Sequence, residues 1–491
     1  MHKQIFFGLL IIVLFSGNIV YGQTAPNGQG ANATDPGSTL SLSQAVNIAI
    51  KNNLAVNQAD LQMQSGKISL NQAWDNMLPT INGSASQNRG IGRSLNTYSY
   101  TYTNATINSG NYGVSANLPL FSGLTLQNAI RQYGFAYDAS KMDLQQQKEN
   151  ITLNVLLAYL QVLSSQDQLN IAKEQAVIDA KQVDRLDAQN KEGALLLLSN
   201  LTDLRGQYSG DEVNIASAIN TLEAAKVNLF QLLNIPYKKD VEYDRGAFSL
   251  QLNDQQLNSD SIYQIALHTL PSIKSTDLKV KSFEKALAVA RGQYFPTLSF
   301  GVGINTNYTE GATQNDPTNI SDNPTKNYVT VGGSKYTVIA GQQQNFNTRT
   351  LSWGDQFKDN KYTNLGLTLS VPILNNLRVR NNVKNAKLNL KNAEYNANST
   401  RLVLQQNVEL AYQNMIAAYK QYKSYIDQVA AYGESFRTTE IRFNEGVVNS
   451  DVYVIAKNNI DRANTNLSQA KYIYILRTKV LEYYQGRLTL N

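Results

Sequence analysis

The sequence predicts an internally duplicated α+β membrane protein that has four β-strands per chain and long coiled-coil helical hairpins. Three observations support this fold class. Two blocks of sequence recur about half a chain apart, four segments alternate apolar with small or polar residues, and long proline-free stretches carry apolar residues at helical spacing. A period near 3.6 residues indicates a helix, whereas a period of two indicates a strand. Each half therefore predicts a helix, a pair of strands and a helical hairpin.

The duplication consists of two blocks. The first is the series Ala49, Leu61, Ala73, Pro79 and Thr80, which recurs as Ala266, Leu278, Ala290, Pro296 and Thr297. The second is Gly113, Pro119, Asn154, Ala158, Tyr159, Glu192 and Gly193, which recurs as Gly366, Pro372, Asn407, Ala411, Tyr412, Glu445 and Gly446. The extra residues of the second half lie between the blocks, so we expect a surface loop there. We predict a first repeat over residues 40–256 and a second over 257–491, with a longer strand-connecting loop at about 305–362.

The N-terminus predicts export. Residues 1–22 have the pattern of a secretory signal peptide, with a weak basic start, an apolar core and small Gly22 before the expected cleavage point. The alternative is an uncleaved membrane anchor, but the apolar run is too short for a comfortable span. Residues 23–39 are rich in Gly, Asn and Pro, which predicts a flexible N-terminal segment.

The composition argues against several classes of protein. The chain has no cysteine, which excludes disulfides, thiolate nucleophiles and cysteine-ligated metals. Its net charge of +6 is spread over 491 residues without dense basic runs, so we expect no nucleic-acid partner. The sequence lacks a nucleophile elbow, a phosphate loop and a zinc-ligand spacing. We therefore expect a protein that is not an enzyme, with no cofactor and no metal site.

Each predicted repeat begins with a helix that ends at a proline. The helical pattern runs from Leu42 to Leu78 before Pro79, and from Ser261 to Phe295 before Pro296. The residue before a proline is pushed out of the α region, so a proline just past a helix stops it.

The period then changes to two. Apolar residues alternate with small or polar ones over 112–120, 298–304 and 365–373, and more weakly over 81–87. Tyrosines 98, 100 and 102 extend the return strand of the first half. We expect four strands of about ten residues, the length of a tilted transmembrane strand with one apolar and one polar face. The alternative, a soluble hairpin covering a core, remains open.

Heptad spacing follows each second strand. In the second half the apolar positions are Val383, Ala386, Leu390, Ala393, Ala397 and Leu404, and then Ala411, Met415, Ala418, Tyr422 and Tyr425. Sustained spacing of this kind is typical of coiled-coil packing, and the many alanines favour close helix approach. We expect each hairpin to turn at a glycine, Gly193 or Gly446, and to return to about residue 233 or 486.

Four strands cannot close a barrel. An open sheet edge in hydrocarbon leaves backbone N–H and C=O groups without partners, at a cost of several kcal/mol each. If the strands lie in a membrane, several chains must share one barrel. Three chains would supply twelve strands, an even number within the known range.

With these features the chain resembles the TolC-like outer-membrane efflux proteins, the outer-membrane factors. The likeness rests on paired motifs, at Leu78–Thr80 and Phe295–Thr297, at Leu118–Gly123 and Val371–Asn376, and at the two Glu-Gly turns. The resemblance implies a homotrimer in the cell outer membrane, with a twelve-stranded barrel and a long periplasmic α-barrel. It also implies passive transport of small molecules and drugs, received from a periplasmic adaptor (membrane fusion) protein and an inner-membrane pump. Two alternatives stay open: a channel for type I protein secretion, and an exported coiled-coil stalk or adhesin.

The resemblance also points to site residues. The hairpin tips that would dock the adaptor are Glu192, Gly193 and Ala194, and Glu445, Gly446 and Val447. The leucine run 195–198 beside the first tip suits docking or burial inside the hairpin. Relatives narrow at acidic residues just beyond the second tip. Here Val448, Val452 and Ile455 occupy positions that are charged in some of them, which leaves Asp451 as the pore-constriction candidate. A first-turn or capping carboxylate is the alternative role of Asp451.

One helical stretch carries a charge asymmetry. Eight basic residues, Arg378, Arg380, Lys384, Lys387, Lys391, Arg401, Lys420 and Lys423, face only Glu394 and Glu409. Inside a tunnel they would attract anionic cargo, and near the membrane they could meet lipid phosphates. A solvated helix surface is the simplest interpretation.

Overall fold

The computed structural model describes residues 39–96, 100–191, 198–245 and 258–488. The predicted signal peptide, nearly all of the predicted flexible segment, Tyr98 and the first hairpin tip at Glu192, Gly193 and Ala194 lie outside the described residues. Among the helices of the described ranges, none is both long and apolar enough to cross a membrane.

Long helices and a small sheet dominate both halves. The first half contains β1 Thr39–Leu40, α1 Leu42–Asn52, α2 Leu54–Asp75, β2 Thr80–Asn96, β3 Thr101–Ser122, α3 Thr125–Lys191, α4 Leu198–Leu233 and β4 Glu242–Tyr243. The second contains α5 Ser259–Thr269, α6 Pro271–Gly292, β5 Thr297–Thr309, β6 Thr313–Val331, β7 Ser334–Thr350, α7 Trp353–Asp359, β8 Tyr362–Ser370, α8 Arg378–Asn444 and α9 Ser450–Tyr484. At 67 residues each, α3 and α8 are about 100 Å long.

The chain forms two compact units. The helical unit is formed by the described residues of Met1–Lys67, Phe135–Val280 and Asn392–Asn491. The sheet unit is formed by those of Ile68–Gly134 and Lys281–Lys391.

The helix predicted before each proline is in fact two helices. Asn53 leaves the α region at ψ 127°, and its Oδ1 accepts hydrogen bonds from the N–H groups of Ala55 and Val56, so it caps the start of α2. Leu270 has ψ 132° because Pro271 follows it. The predictions of one continuous helix over 42–78 and over 261–295 are therefore wrong at these two positions.

Buried heptad positions form the core of the helical unit. Around α3 the buried side chains include Val155, Ala158 and Val162. The hydroxyl of the buried Tyr159 lies 2.9 Å from the carbonyl oxygen of Leu40 on β1 and 2.8 Å from that of Asp244 beside β4, and it donates a hydrogen bond to one of them. A second cluster joins α5, α8 and α9. The predicted 3,4 spacing of buried residues is confirmed by Ala393, Ala397, Leu404, Ala411, Met415 and Ala418.

The sheet unit contains one antiparallel sheet in the order β2-β3-β5-β8. The four predicted strands, two from each half, are confirmed as the members of this sheet, but the count is too low for the second half, which also contains β6 and β7. The lengths of the four strands of this sheet are 17, 22, 13 and 9 residues, so the prediction of about ten residues each is wrong for β2 and β3. Most residues are polar in the half of β2 that ends at Asn96 and in the half of β3 that begins at Thr101, so the alternation marks only the other halves of these strands. Of the tyrosines predicted to extend the return strand, Tyr102 lies in β3, whereas Tyr100 lies just before it at φ +53°, so the prediction is wrong for Tyr100.

The predicted loop at about 305–362 contains a second sheet. β6 and β7 pair with each other as a hairpin, and α7 follows them. The hairpin turns at Gly332 and Gly333, both at positive φ, which is the combination that a two-residue type I′ turn requires. A β-rich stretch around a Gly-Gly pair is a hairpin signal, so this element could have been predicted from the sequence.

Candidate functional site

The second hairpin turn joins α8 to α9. Gly446 has φ +72°, its N–H donates to the carbonyl of Phe443, and the N–H of Val447 donates to the carbonyl of Arg442. This pair of hydrogen bonds is a Schellman motif, which ends a helix at a residue in the left-handed conformation that glycine adopts without strain. Glu445, Gly446 and Val447 are all exposed, so the turn presents its residues to solvent.

The start of α9 is capped by the other hairpin. The side chain of Asn449, at the N-cap position, makes no capping hydrogen bond. Instead, the N–H of Ser450 donates to Asn200 Oδ1 at 3.1 Å, and Ser450 Oγ donates to Asp203 Oδ2 at 2.7 Å. Both partners belong to the first turns of α4, so the beginnings of α4 and α9 are joined side by side.

The other two helices are joined at the same end. Arg185, near the end of α3, donates from Nη2 to the carbonyl of Asn444 at 2.6 Å and from Nη1 to the side chain of the same residue. Asn444 is the last residue of α8, where carbonyl groups lack partners within the helix. A cation at a helix C-terminus is also favourable for the helix dipole. All four helices therefore meet in one fixed arrangement just behind the turn.

An apolar cluster lies directly behind these contacts. Tyr453 stacks on Phe443 with ring centroids 4.7 Å apart and also contacts Phe436. The buried members of this end cluster are Leu186, Leu201, Leu204, Phe443 and Tyr453. It holds the helices together while the turn itself remains exposed.

Asp451 lies in the first turn of α9 and is exposed. Asn449 Nδ2 lies 3.5 Å from its Oδ2, at the long limit of a hydrogen bond. A carboxylate in a first turn is favourable for the helix dipole, which is the alternative role that the sequence left open. Val452 and Ile455 are also exposed, whereas Val448 is half-buried. The solvent-facing surface of these first two turns is therefore apolar beside one carboxylate.

The basic residues of α8 are mostly exposed, as a solvated surface would have them. Arg401 differs, because it forms an ion pair with Asp277 on α6 and donates to Asn398. Hydrogen bonds from the side chains of Ser259 and Gln413 lower the pKa of the Glu409 carboxyl.

The four-stranded sheet exposes its apolar positions. Leu365, Leu367 and Leu369 on β8 are 69%, 67% and 64% exposed, and Ile81 and Ile91 on β2 are similarly open. β2 and β8 are the two edge strands, and within the described part of the chain each pairs with one neighbour only. One copy of the chain thus leaves both an apolar surface and two hydrogen-bonding edges without partners in this sheet.

Sequence reasoning missed a buried ion cluster formed by Asp179, Asp211, Lys457 and Asp461. Lys457 and Asp179 are both 0% exposed, with Lys457 Nζ 3.7 Å from an Asp179 oxygen and in closer contact with Asp461. The signal was present in the sequence. Asp179 lies between Ala176 and Val183 at a position where the 3,4 spacing predicts an apolar residue. Lys457 occupies the equivalent position between Tyr453 and Ile460.

Burial raises the pKa of the Asp179 carboxyl to about 7, against the attraction of Lys457 and with a further rise from neighbouring Asp211. Burial also raises the pKa of Asp461, although its contact with Lys457 opposes this. Desolvation raises the pKa of the Tyr453 hydroxyl, which keeps it neutral. The raised pKa values of Asp179 and Asp461 mean that each carboxyl keeps its proton up to a higher pH in the folded protein than it would in water.

Comparison with known proteins covers almost the whole chain. The model of the outer membrane efflux protein family matches residues 45–234 and 262–482. Outer membrane protein TolC of Salmonella enteritidis is 22% identical over 427 residues, which are 85% of this chain and 76% of that protein. TolC of Escherichia coli (strain K12) is 23% identical over 411 residues, which are 83% of this chain and 74% of that protein. The outer membrane protein VceC of Vibrio cholerae superposes with a TM-score of 0.72 at 11% identity, covering 91% of this chain and 96% of that one.

These matches fix the class of the molecule. The two matched ranges together exceed half of the chain, and the fold agrees with that of the solved outer-membrane protein VceC. The protein is a transport protein of the outer membrane and not an enzyme. The chain belongs to the outer membrane efflux protein family.

Proposed function

We propose that the chain is one of three identical subunits of an exit duct in a tripartite efflux system. Small molecules, drugs included, would enter from a periplasmic adaptor and an inner-membrane pump and leave passively to the exterior. The observation that supports this most directly is the four-stranded sheet, whose two edges and apolar positions are open in a single copy.

The open edges support assembly. In hydrocarbon an unpaired edge is costly, because its N–H and C=O groups have no water to bond. Pairing β2 of one copy with β8 of the next satisfies both edges at once. Such a heterologous contact closes into a ring when the rotation permits, and three copies would give a twelve-stranded wall. Leu365, Leu367 and Leu369 would then face lipid.

Two exposed helical stripes support the same assembly. Helix α2 leads into β2, and it exposes Leu54, Leu61 and Ile68 at heptad intervals. Helix α8 follows β8, and it exposes Leu388 and Leu402, which are two heptads apart. Solvent-exposed leucines repeating every seven residues are typical of a coiled-coil seam that lacks its partner. We assign these stripes to the contact between neighbouring copies.

The two halves, residues 40–256 and 257–491, would act as equivalent structural repeats in this wall. Each has the same order of two short helices, strands that join the sheet, and a long helical hairpin. The hairpin β6–β7 belongs to the second half alone and accounts for its longer strand connection.

We assign adaptor docking to the hairpin tips, Glu192, Gly193 and Ala194 with Glu445, Gly446 and Val447. The exposure of the second tip supports this, and so does the rigid arrangement of four helix ends behind it. A turn held in one conformation loses little entropy when a partner binds.

We assign the pore constriction to Asp451. Its exposure beside Val452 and Ile455 supports this, because three copies would place three carboxylates in one ring. Rings of carboxylates select cations in other channels.

Cysteine cross-linking tests the assembly, since the natural chain has no cysteine and any disulfide must come from introduced residues. Each residue from 81 to 86 on β2 is changed to Cys in turn, together with Gly366→Cys on β8. We expect at least one pair to give a ladder that ends at three chains on a denaturing gel. Gly113→Cys with Gly366→Cys is the matched control, because β5 separates β3 from β8. No ladder from any β2 position would contradict edge pairing.

Single-channel conductance in planar bilayers tests the transport activity. Purified protein should give discrete pores if it forms a duct, whereas a structural stalk would give none. In cells, deletion of the gene should raise sensitivity to drugs and dyes, and loss of secreted proteins instead would favour the type I secretion alternative.

A further inference from the structure

The buried ion cluster contains more negative than positive side chains. Asp179 comes from α3, Asp211 from α4, and Lys457 and Asp461 from α9. Asp179 and Lys457 are 0% exposed, and Asp211 is almost as deeply buried. One lysine faces three aspartates, so full ionisation would leave two excess negative charges in the packing between three helices. Burying uncompensated charge is expensive, and a group in this position neutralises instead.

The hydrogen bonds of Asp179 indicate which group is neutral. Neither of its oxygens accepts a hydrogen bond, and the nearest cation, Lys457, is beyond hydrogen-bonding distance at 3.7 Å. As a carboxylate, Asp179 would thus be buried without any donor. As a carboxylic acid it carries a donor of its own, and the carboxyl of Asp211, whose proximity raises the pKa of Asp179, is the neighbouring acceptor. Lys457 is then left to neutralise Asp461, with which it makes its closest contact.

Within the described ranges, Lys457 is the one cation among the groups that act on Asp179, Asp461 and Tyr453. The Tyr453 hydroxyl lies close enough to sense the charges of Asp179 and Asp461, and Glu440 on α8 adds a further negative charge. Tyr453 Oη and Gln182 Oε1 are also buried without hydrogen-bond partners. Every neighbouring charge other than Lys457 therefore favours the uptake of a proton.

We propose that Asp179, Asp211, Asp461 and Lys457 form a proton-binding site that couples pH to the packing of α3, α4 and α9. The ligand is a proton, held by Asp179 and donated to Asp211. Release of that proton places two neighbouring carboxylates in a buried setting, where like charges repel strongly. The helices separate more readily once the proton has left, because opening admits water to both carboxylates. This proposal does not depend on the transport function.

Infrared difference spectroscopy tests whether the proton is bound. Full-length protein in detergent is titrated across neutral pH, and the C=O stretching band of a protonated carboxyl is followed. We expect the band to disappear as pH rises in the natural protein and to be missing from the titration of Asp179→Asn. The matched control is Asp184→Asn, which removes an exposed aspartate from the same helix. A band that persists in Asp179→Asn, or no band in the natural protein, would overturn the assignment.

Hydrogen exchange tests the coupling to packing. Protection factors are measured for peptides covering residues 175–187, 205–215 and 453–461, with correction for the intrinsic effect of pH. For a single carboxyl with a pKa raised on burial to about 7, we expect protection to fall about tenfold between about pH 6 and about pH 8. Asp179→Asn mimics the neutral acid and should show no such fall, whereas Asp184→Asn should behave as the natural protein does. Equal protection at both pH values in the natural protein would overturn the coupling.

Discussion

Ser450 Oγ donates a 2.7 Å hydrogen bond to Asp203 Oδ2 on α4. The N–H of Ser450 donates to Asn200 Oδ1, so the first turn of α9 is capped by a side chain from α4 and not by its own N-cap residue. Capping groups usually come from the same helix and stabilise only that helix. Here the capping interaction also joins one hairpin to the other. Capping of α9 and association of the two hairpins are therefore one interaction.

This contact predicts energetic coupling between the two residues. Ser450→Ala and Asp203→Ala should each destabilise the folded protein by about 1 kcal/mol, the usual value of a side-chain hydrogen bond. The double variant should lose less than the sum, because both changes remove the same bond. Urea unfolding of the four proteins gives the double-mutant cycle. Strictly additive losses would show that the two side chains do not interact in solution.

Two substitutions at Gly446 should separate the effect of this residue on folding from its effect on adaptor docking. Its positive φ is tolerated by asparagine, and open space surrounds the position of an added Cβ. Gly446→Asn should therefore keep both the fold and transport. Gly446→Arg, which adds bulk and charge to the tip, should still assemble in the membrane but lose drug export in cells. Normal export by Gly446→Arg would remove the tip from the docking surface.

Asp451 predicts an effect on ion selectivity. Asp451→Asn should reduce the preference for cations and weaken block by divalent cations, because three carboxylates leave the ring at once. Asp427→Asn, at an exposed position on α8, is the control. Reversal potentials under a salt gradient measure the selectivity. A variant with unchanged selectivity and block would assign Asp451 to the first turn of its helix alone.

Structural features that repeat with a regular period could be predicted from the sequence, whereas features without a period could be predicted only where a local residue pattern marked them. The four strands and the long helices were predictable, because a face packed on other residues imposes its period on the chain. The break at Leu270 was also predictable from Pro271, whereas the break at Asn53 depends on a side-chain cap. The strands β6 and β7 are exposed and largely polar, so the available signal for this hairpin was the Gly332-Gly333 turn between two β-rich stretches and not a buried face.

The candidate site was harder to predict, for a different reason. Its contacts join residues that are far apart in sequence, such as Arg185 with Asn444 and Asn200 with Ser450. No local sequence pattern predicts a hydrogen bond between two hairpins. The charged interruptions at Asp179 and Lys457 were visible as violations of the heptad, but their meeting in space depended on the register between α3 and α9.

Replacing Lys457 should cause a large loss of stability, which further substitutions in the buried ion cluster should restore. Lys457→Met removes the only cation of the buried ion cluster and leaves Asp461 uncompensated, a change that typically costs about 3–5 kcal/mol. Adding Asp461→Asn and Asp179→Asn to Lys457→Met should restore much of that loss, because Asp211 is then the one carboxyl left in the cluster and has no charged neighbour within it. Thermal unfolding compares the variants. A triple variant as unstable as Lys457→Met would mean that the lysine stem, and not its charge, provides the stability.

Asp179 predicts how stability changes with pH. Its pKa is raised in the folded protein, so between the unfolded and folded values the folded state binds more protons than the unfolded state does. The free energy of unfolding must then fall as pH rises, by up to about 1.4 kcal/mol per pH unit from about pH 4 to about pH 7, and level off above that. The difference in unfolding free energy between the natural protein and Asp179→Asn isolates this contribution, because other titrating groups cancel. Chemical denaturation at several pH values measures it. A difference that rises with pH would have the opposite sign and would mean that Asp179 is held as a carboxylate paired with Lys457.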